Sequence, residues 1–430
     1  MSNKVLLIAP YFPPRRRVGS IRPFRFVTYL KELGWSPAVI CIKEEKRSLT
    51  EKEIKVLEGV PLLQVGIPFS KKNDLQKRDS TKKFSLSEFI DNRFPLDTWL
   101  PLFIKEKKNI LDFSRNFNPD LVWSTSDPWS ANYLAAKVSK VLNTPWVADM
   151  RDPWTLCNIR YKSRKWPATT VDKKFERKIM QEAGYITFTA KATEKKYTQH
   201  YPVIKNKTKT IYNSFDRSFY ESDVTSHTLE LPKEKLNILF LGKFRELSTA
   251  TDILRVLETL QENDPEKLKS VYIYSFGDLV GEDLEYVNKL DLEDHFKTIS
   301  MVPNEKVINL ANQFDLLLLS THPERNDIVP AKLIDYLICK PPVFSLAPNN
   351  EVGEIVEKTK IGVHFIGNER NERNERNEAA DFLAECVSLK QSNKELPYQG
   401  ISNQVEINNF NAKQTTLQLV DIFKKLIENE

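Results

Sequence analysis

Short apolar runs alternate with longer amphipathic stretches along this chain, and the cycle occurs twice. KVLLIAP reads as a buried first strand, and the loop YFPPRRRVGS follows it. IRPFRFVTYLKELG has helical period and ends at Gly34 in the manner of a C-cap. SPAVICI is the next strand, so strand, loop, helix and strand open a doubly wound parallel sheet. PLLQVGI reads as an edge strand inside the charged stretch 43–83. PDLVWST, PWVADM and AGYITFT continue the series, each with a helical stretch behind it. Unbroken apolar runs suit parallel strands covered on both faces.

A change of domain falls in the polar, turn-rich sequence TIYNSFDRSFYESDVTSHTLELPKEK. The alternation then restarts with NILFLG and a helix from Ser248 to about Asn263. SVYIYSFG, a helix near GEDLEYVNKL, KTISM, a helix at NEKVINLANQ, and DLLLLS follow. PPVFSLA, a helix start at NNEVGEIVE, and GVHFIG close the cycle. The predicted layout is a first α/β domain over 1–212, a linker over 213–235, a second α/β domain over 236–408 and an amphipathic helix over 409–430. The repeat NERNERNERNE at 368–378 reads as a surface expansion, either extending the next helix or forming a solvated loop.

At 430 residues the chain exceeds one typical core, which agrees with two domains. Its 40% apolar and 10% aromatic content indicates a folded protein. No apolar run approaches the ~20 residues that span a bilayer, and MSNKVLLIAPYFPPRRR lacks the form of a secretory signal. Cys41, Cys157, Cys339 and Cys386 are scattered and the five histidines dispersed, so no metal site or disulfide framework is expected. The expectation is a cytoplasmic protein.

Net charge is +6, but it is unevenly spread. Residues 1–210 carry 40 lysines and arginines against 21 aspartates and glutamates, and residues 211–430 carry 24 against 37. A basic half points to an anionic partner, such as a nucleic acid, a membrane surface or a phosphorylated substrate, or to attraction between the halves. No recognisable nucleic-acid module is present, which disfavours the first.

The stretch DIVPAKLIDYLICKPPVFSLAPNNEVGEIVE, from Asp327 to Glu357, places two carboxylates eight positions apart. Pro330 is suited to open a helix, with Asp327 on the loop entering it and Asp335 about a turn further in. The pair suits recognition of sugar and ribose hydroxyls at the end of a strand. The alternative is Asp335 paired with Lys332 on a solvated helix face.

This segment resembles the donor-site signature of family 4 glycosyltransferases, in which two glutamates flank seven residues. Here both acids are aspartates, and the order that follows, a lysine and proline, an apolar strand, then the helix start at Glu351, is that of the family. PWVADMRDPW, from Pro145 to Trp154, resembles an Asp-Phe-Arg-Asp-Pro-Trp sequence of one bacterial branch. The resemblance implies the GT-B fold: α/β, two facing Rossmann-like domains with parallel sheets and a C-terminal helix crossing back to the first. It implies retaining transfer from a nucleotide-sugar donor to a saccharide or lipid-linked saccharide in bacterial surface polysaccharide assembly. No metal or other cofactor is implied.

By that resemblance Asp149, Arg151, Asp152 and Asp327 would serve catalysis. Gly19, Lys243, Arg245, Ser248, Thr249, Val302, Ala331, Lys332 and Asp335 would bind the donor. Lys243 and Arg245 would neutralise phosphates, Ser248 or Thr249 would cap the following helix, and Asp335 would meet the ribose. Proline at 330 removes one amide donor from the phosphate loop. Arg15, Arg16, Arg17 and Ser20 are assigned to an acceptor or its phosphate, because guanidinium forks bind phosphate oxygens bidentately; a solvated charge run is the alternative for the arginines. Trp99 among nearby lysines suits docking on anionic lipid, or core packing. The rival readings are a nucleotide-sugar epimerase of the same fold and a catalytically degenerate scaffold.

Overall fold

A computed structural model describes residues 3–15, 18–44, 47–66, 92–220, 228–245, 247–366 and 372–428. Arg16, Arg17, residues 84–91 and residues 368–371 of the repeat lie outside the described residues. The chain divides into Met1–Tyr212 with Ala412–Glu430, and Asn213–Asn411. The stretch read as a linker therefore groups with the second unit.

The first unit is built on seven parallel strands in the order β3-β2-β1-β4-β5-β6-β7. These are β1 Lys4–Ile8, β2 Ser36–Ile42, β3 Leu62–Val65, β4 Leu121–Ser126, β5 Trp146–Met150, β6 Tyr185–Phe188 and β7 Thr208–Thr210. β1 sits centrally, with Val5 opposite Pro37 on one side and Leu121 on the other. Its apolar residues are fully buried, as are those of β4 and β5, which is why these runs carry no polar alternation. β7 was not foreseen, because Thr-Lys-Thr is short and has no apolar pattern.

The Val18–Glu32 helix begins earlier than its sequence period suggests, taking Gly19 and Ser20 into its first turn. Gly34 has φ +80, and the amides of Gly34 and Trp35 close the helix on Lys31 and Leu30. The Ala412–Glu428 helix returns to this unit, where Phe423 meets Trp35 edge-on at 5.4 Å.

The second unit has six parallel strands in the order β10-β9-β8-β11-β12-β13. They are β8 Leu236–Leu239, β9 Val271–Ser275, β10 Phe296–Thr298, β11 Leu316–Ser320, β12 Val343–Leu346 and β13 Gly362–Phe365. The Glu372–Gln391 helix includes the last part of the Asn-Glu-Arg repeat, so that part extends the helix. Its Ala379, Ala380 and Leu383 are buried in the second core. The fold is α/β, with two parallel Rossmann-like sheets of the GT-B kind. Among the described residues no helix is long and apolar enough to cross a membrane.

Candidate functional site

In the second unit the informative loops leave the C-terminal ends of the strands, where open parallel sheets bind ligands. After β8 the chain passes through Phe240, Leu241 and Gly242. Gly242 has φ +139, a conformation that favours glycine, and a Cβ there would meet the end of the Lys332 side chain at 3.2 Å. Lys332 enters from the Ala331–Tyr336 helix and stands 3.5 Å from the centroid of the Phe240 ring. Burial, with a smaller contribution from Arg245, lowers its pKa to about 7. The helix carrying it is fixed by Tyr336, whose buried hydroxyl accepts from the Leu241 amide and donates to the Leu318 carbonyl.

Lys243 lies across the loop after β9, where a Cβ on Gly277 would meet its stem at 3.1 Å. Arg245 and Ser248 exchange backbone hydrogen bonds that shape the turn. Among the described residues Lys243, Arg245 and Lys332 have no carboxylate within ion-pair distance. Ser320 Oγ donates to the Thr249 carbonyl at 2.7 Å, tying the end of β11 to this turn. Beside that tie, Thr249 Oγ1 and Thr321 Oγ1 are buried and have no hydrogen-bond partner among the described residues, an unusual condition for buried hydroxyls.

Asp327 lies on the loop entering the Ala331–Tyr336 helix, with Oδ1 3.7 Å from Arg325 Nε, both side chains being buried. The Ile328 carbonyl of that loop accepts from Asn349 Nδ2, and Asn349 also caps the Asn350–Thr359 helix through the Glu351 amide. Asp335 does not pair with Lys332. It accepts from the Tyr220 hydroxyl at 2.9 Å. Val302 follows β10 in a partly exposed turn, beside exposed Met301.

Two expectations for these loops are corrected. Pro330 is the residue before the helix, with ψ 136, and Ala331 opens it. Ser248 and Thr249 do not cap the helix after β8, which spans Thr251–Asn263 with Ala250 at its start. Asp283, from the Glu282–Lys289 helix, accepts from the Ala250 amide at 2.8 Å and the Thr251 hydroxyl at 3.1 Å. A carboxylate of the protein thus occupies that helix N-terminus, where the dipole favours negative charge.

In the first unit the loops after β1 and β5 meet. Gly19 lies so close to Arg151 that a Cβ would come within 2.5 Å of its Nη1 and 3.1 Å of Tyr11. Arg151 Nη2 reaches Asp127 at 3.3 Å and Asp152 at 3.4 Å. Both Arg151 and Asp152 keep some exposure, so they can meet a ligand. Ser20, beside Gly19, is buried.

Asp149 has a different place. It is fully buried and receives Arg22 Nε at 3.0 Å, Arg22 Nη2 at 2.9 Å, Thr125 Oγ1 at 2.8 Å and Thr187 Oγ1 at 2.7 Å. Arg22 also donates to the Tyr212 carbonyl. The expected catalytic role for Asp149 is therefore replaced by a positioning one: four hydrogen bonds saturate the carboxylate and join the first helix to β4, β5 and β6.

Arg15 is also corrected. It is buried, lying over Trp99 at 5.1 Å and Tyr11 at 5.8 Å, with Glu44 3.8 Å away. Trp99 is 3% exposed and belongs to the core, so it anchors no interface.

Residues that the sequence did not single out complete this loop. Glu176 is buried and accepts from the Thr155 amide, the Thr155 hydroxyl and the hydroxyls of Tyr197 and Tyr201. Tyr197 in turn accepts from the Trp154 amide. Burial raises the Glu176 pKa against these donors. An acid in a charged helical stretch gives no sign of such a role, so only its place in three dimensions reveals it.

Solved structures share this fold along the whole chain. Sucrose-phosphate synthase from Thermosynechococcus elongatus matches with a TM-score of 0.67 at 12% identity, covering 100% of both chains. A glycosyltransferase from Rickettsia africae matches at 0.62 and 16%, again with 100% of both covered. Anabaena HepE, solved with UDP and glucose, matches at 0.59 and 15%, over 98% of this chain and 100% of that one. No curated protein matches the sequence. Residues 24–219, most of the first unit and the start of the second, match the model of Glycosyltransferase Family 4.

Proposed function

We propose that the protein is a retaining glycosyltransferase that takes a sugar from a nucleotide-sugar donor bound by its second unit. The observation that carries this reading is the set of three cations, Lys243, Arg245 and Lys332, gathered around Gly242 without a carboxylate in ion-pair range among the described residues. Cations without a carboxylate partner among the described residues, at the C-terminal edge of a parallel sheet, suit a diphosphate, and the Thr249 and Thr321 hydroxyls suit its oxygens. Asp327 would hold sugar hydroxyls and Asp335, oriented by Tyr220, the ribose. The Anabaena structure of this fold was solved with UDP, which agrees with a nucleotide donor.

In the reaction an acceptor hydroxyl oxygen bonds to the anomeric carbon as the bond from that carbon to phosphate breaks. The nucleoside diphosphate leaves with the electron pair, and the hydroxyl proton passes to its departing oxygen. Lys243, Arg245 and Lys332 stabilise the charge that develops there; Arg151 and Asp152, which keep some exposure within the first unit, are the proposed acceptor contacts. The basic first half suits a saccharide on an anionic lipid carrier, with peripheral contact on a cytoplasmic membrane face and assembly of a surface polysaccharide as the setting.

The test is a thermal-shift panel of nucleoside diphosphates and nucleotide sugars, repeated with Asp335→Ala. A ligand at 100 times its Kd should stabilise by about 2.7 kcal/mol, and the variant should show a clearly smaller response. No ligand response in the wild-type protein would sink the donor assignment. Product analysis with donor alone separates transfer from epimerisation: a C2-inverted sugar nucleotide would favour the epimerase.

A further inference from the structure

A cavity of about 700 Å³ lies at the opposite end of the second sheet, a volume typical of small-molecule sites. Its wall uses residues that lead into strands: Asp315 before β11, Pro342 before β12 and Ile361 before β13. The loops around Gly242 and Asp327 instead leave strand C-termini. β11, with five residues, puts about 16 Å between the two ends.

The second half of the chain is acidic, yet this cavity gathers Arg217, Lys340, Lys390 and Lys394 against Asp315 and Glu395. Lys390 is paired with Asp315, whose second oxygen takes the Asn237 amide. Among the described residues Lys340 and Lys394 form no ion pair, and Arg217 bonds the neutral Gln404 amide oxygen at 3.3 Å. Three cations therefore face one remaining carboxylate, Glu395. Tyr398 stands on the same wall at φ +64, a conformation an aromatic residue rarely adopts, and Leu396 and Pro342 add apolar surface beside it.

We propose that this cavity is a second ligand site, for a nucleoside phosphate. Arg217, Lys340 and Lys394 receive the phosphate, and Tyr398 with its apolar neighbours receives the base. One face of the wall, Leu337 to Lys340, directly continues the Ala331–Tyr336 helix that carries Lys332 and Asp335. Arg217 lies three residues before Tyr220, the donor to Asp335. Occupancy here thus bears on the elements that hold the candidate donor site.

Equilibrium dialysis with UDP up to millimolar concentration tests this on the intact chain. Wild-type protein is expected to bind two molecules per chain. Lys340→Glu with Lys394→Glu should remove one of them, and Lys243→Ala with Arg245→Ala should remove the other. Both lysines at 340 and 394 are exposed, so their substitution leaves the unliganded thermal midpoint nearly unchanged, which is checked in parallel. Unchanged stoichiometry and affinity in the 340/394 variant overturns the second site, whatever the 243/245 variant does. Loss confined to the 340/394 variant supports the cavity and removes the donor reading instead.

Discussion

At the scale of single residues, what each charged group faces decides what it can do. Asp149 and Arg22 are a buried pair with matched hydrogen bonds, and removing one partner of such a pair costs about 3–5 kcal/mol. Asp149→Ala should lower the free energy of denaturant unfolding by that order; a loss below about 1 kcal/mol would show that the network is dispensable. Lys332 is the opposite case, a cation among an aromatic ring, a glycine and Arg245. Its folded pKa, about 7, lies below that of an unfolded lysine. Between pH 7 and the unfolded value the native state therefore binds fewer protons, and stability rises with pH across that window relative to Lys332→Met. Anion binding has the reverse dependence, because only the ammonium attracts phosphate. UDP affinity at the donor site, taken relative to Lys332→Met at the same pH so that the titration of UDP itself cancels, should fall several-fold from pH 6 to pH 8.5. Equal pH profiles would remove Lys332 from the phosphate site.

At the scale of elements, loops are held by groups distant in sequence. Glu176 anchors the Trp154–Thr155 segment through the Thr155 amide and hydroxyl and, by way of Tyr197, the Trp154 amide. Glu176→Ala strands several donors and should cost about 2–4 kcal/mol, while Glu176→Gln, which keeps an acceptor oxygen, should cost less. Chemical denaturation of both variants checks the order, and equal losses would contradict the assigned hydrogen-bonding role. Gly19→Ala should displace the Arg151 guanidinium, a flexible end, with little loss of stability and a large loss of kcat. Retained kcat would show that the Arg151 position is not critical. Much at this scale was legible in the sequence. Apolar runs such as SPAVICI and DLLLLS gave strands almost to the residue, because burial on both faces leaves no polar interruption. The start of the Thr251–Asn263 helix was misjudged, since Ser248 and Thr249 look like caps and the actual partner, Asp283, lies 33 residues from Ala250.

At the scale of the whole molecule, two cycles of strand and helix and a final amphipathic helix were readable from periodicity. The two parallel sheets follow from those cycles. The site was less readable. Gly242, Lys243 and Lys332 stand out as residue types in loops, but their gathering depends on Tyr336 fixing one helix against β8 and β11. Arg15 and Trp99 show the converse error, since a basic loop and an aromatic near lysines imply exposure that packing then removes. The central claim is that Lys243, Arg245 and Lys332 form the diphosphate site of a nucleotide-sugar donor. Its most direct test is a calorimetric titration of UDP into wild-type protein and into the Lys243→Ala/Arg245→Ala variant, both already carrying Lys340→Glu/Lys394→Glu. The account predicts one site in the first protein and at least a tenfold weaker one in the second; equal affinities in the two would contradict it.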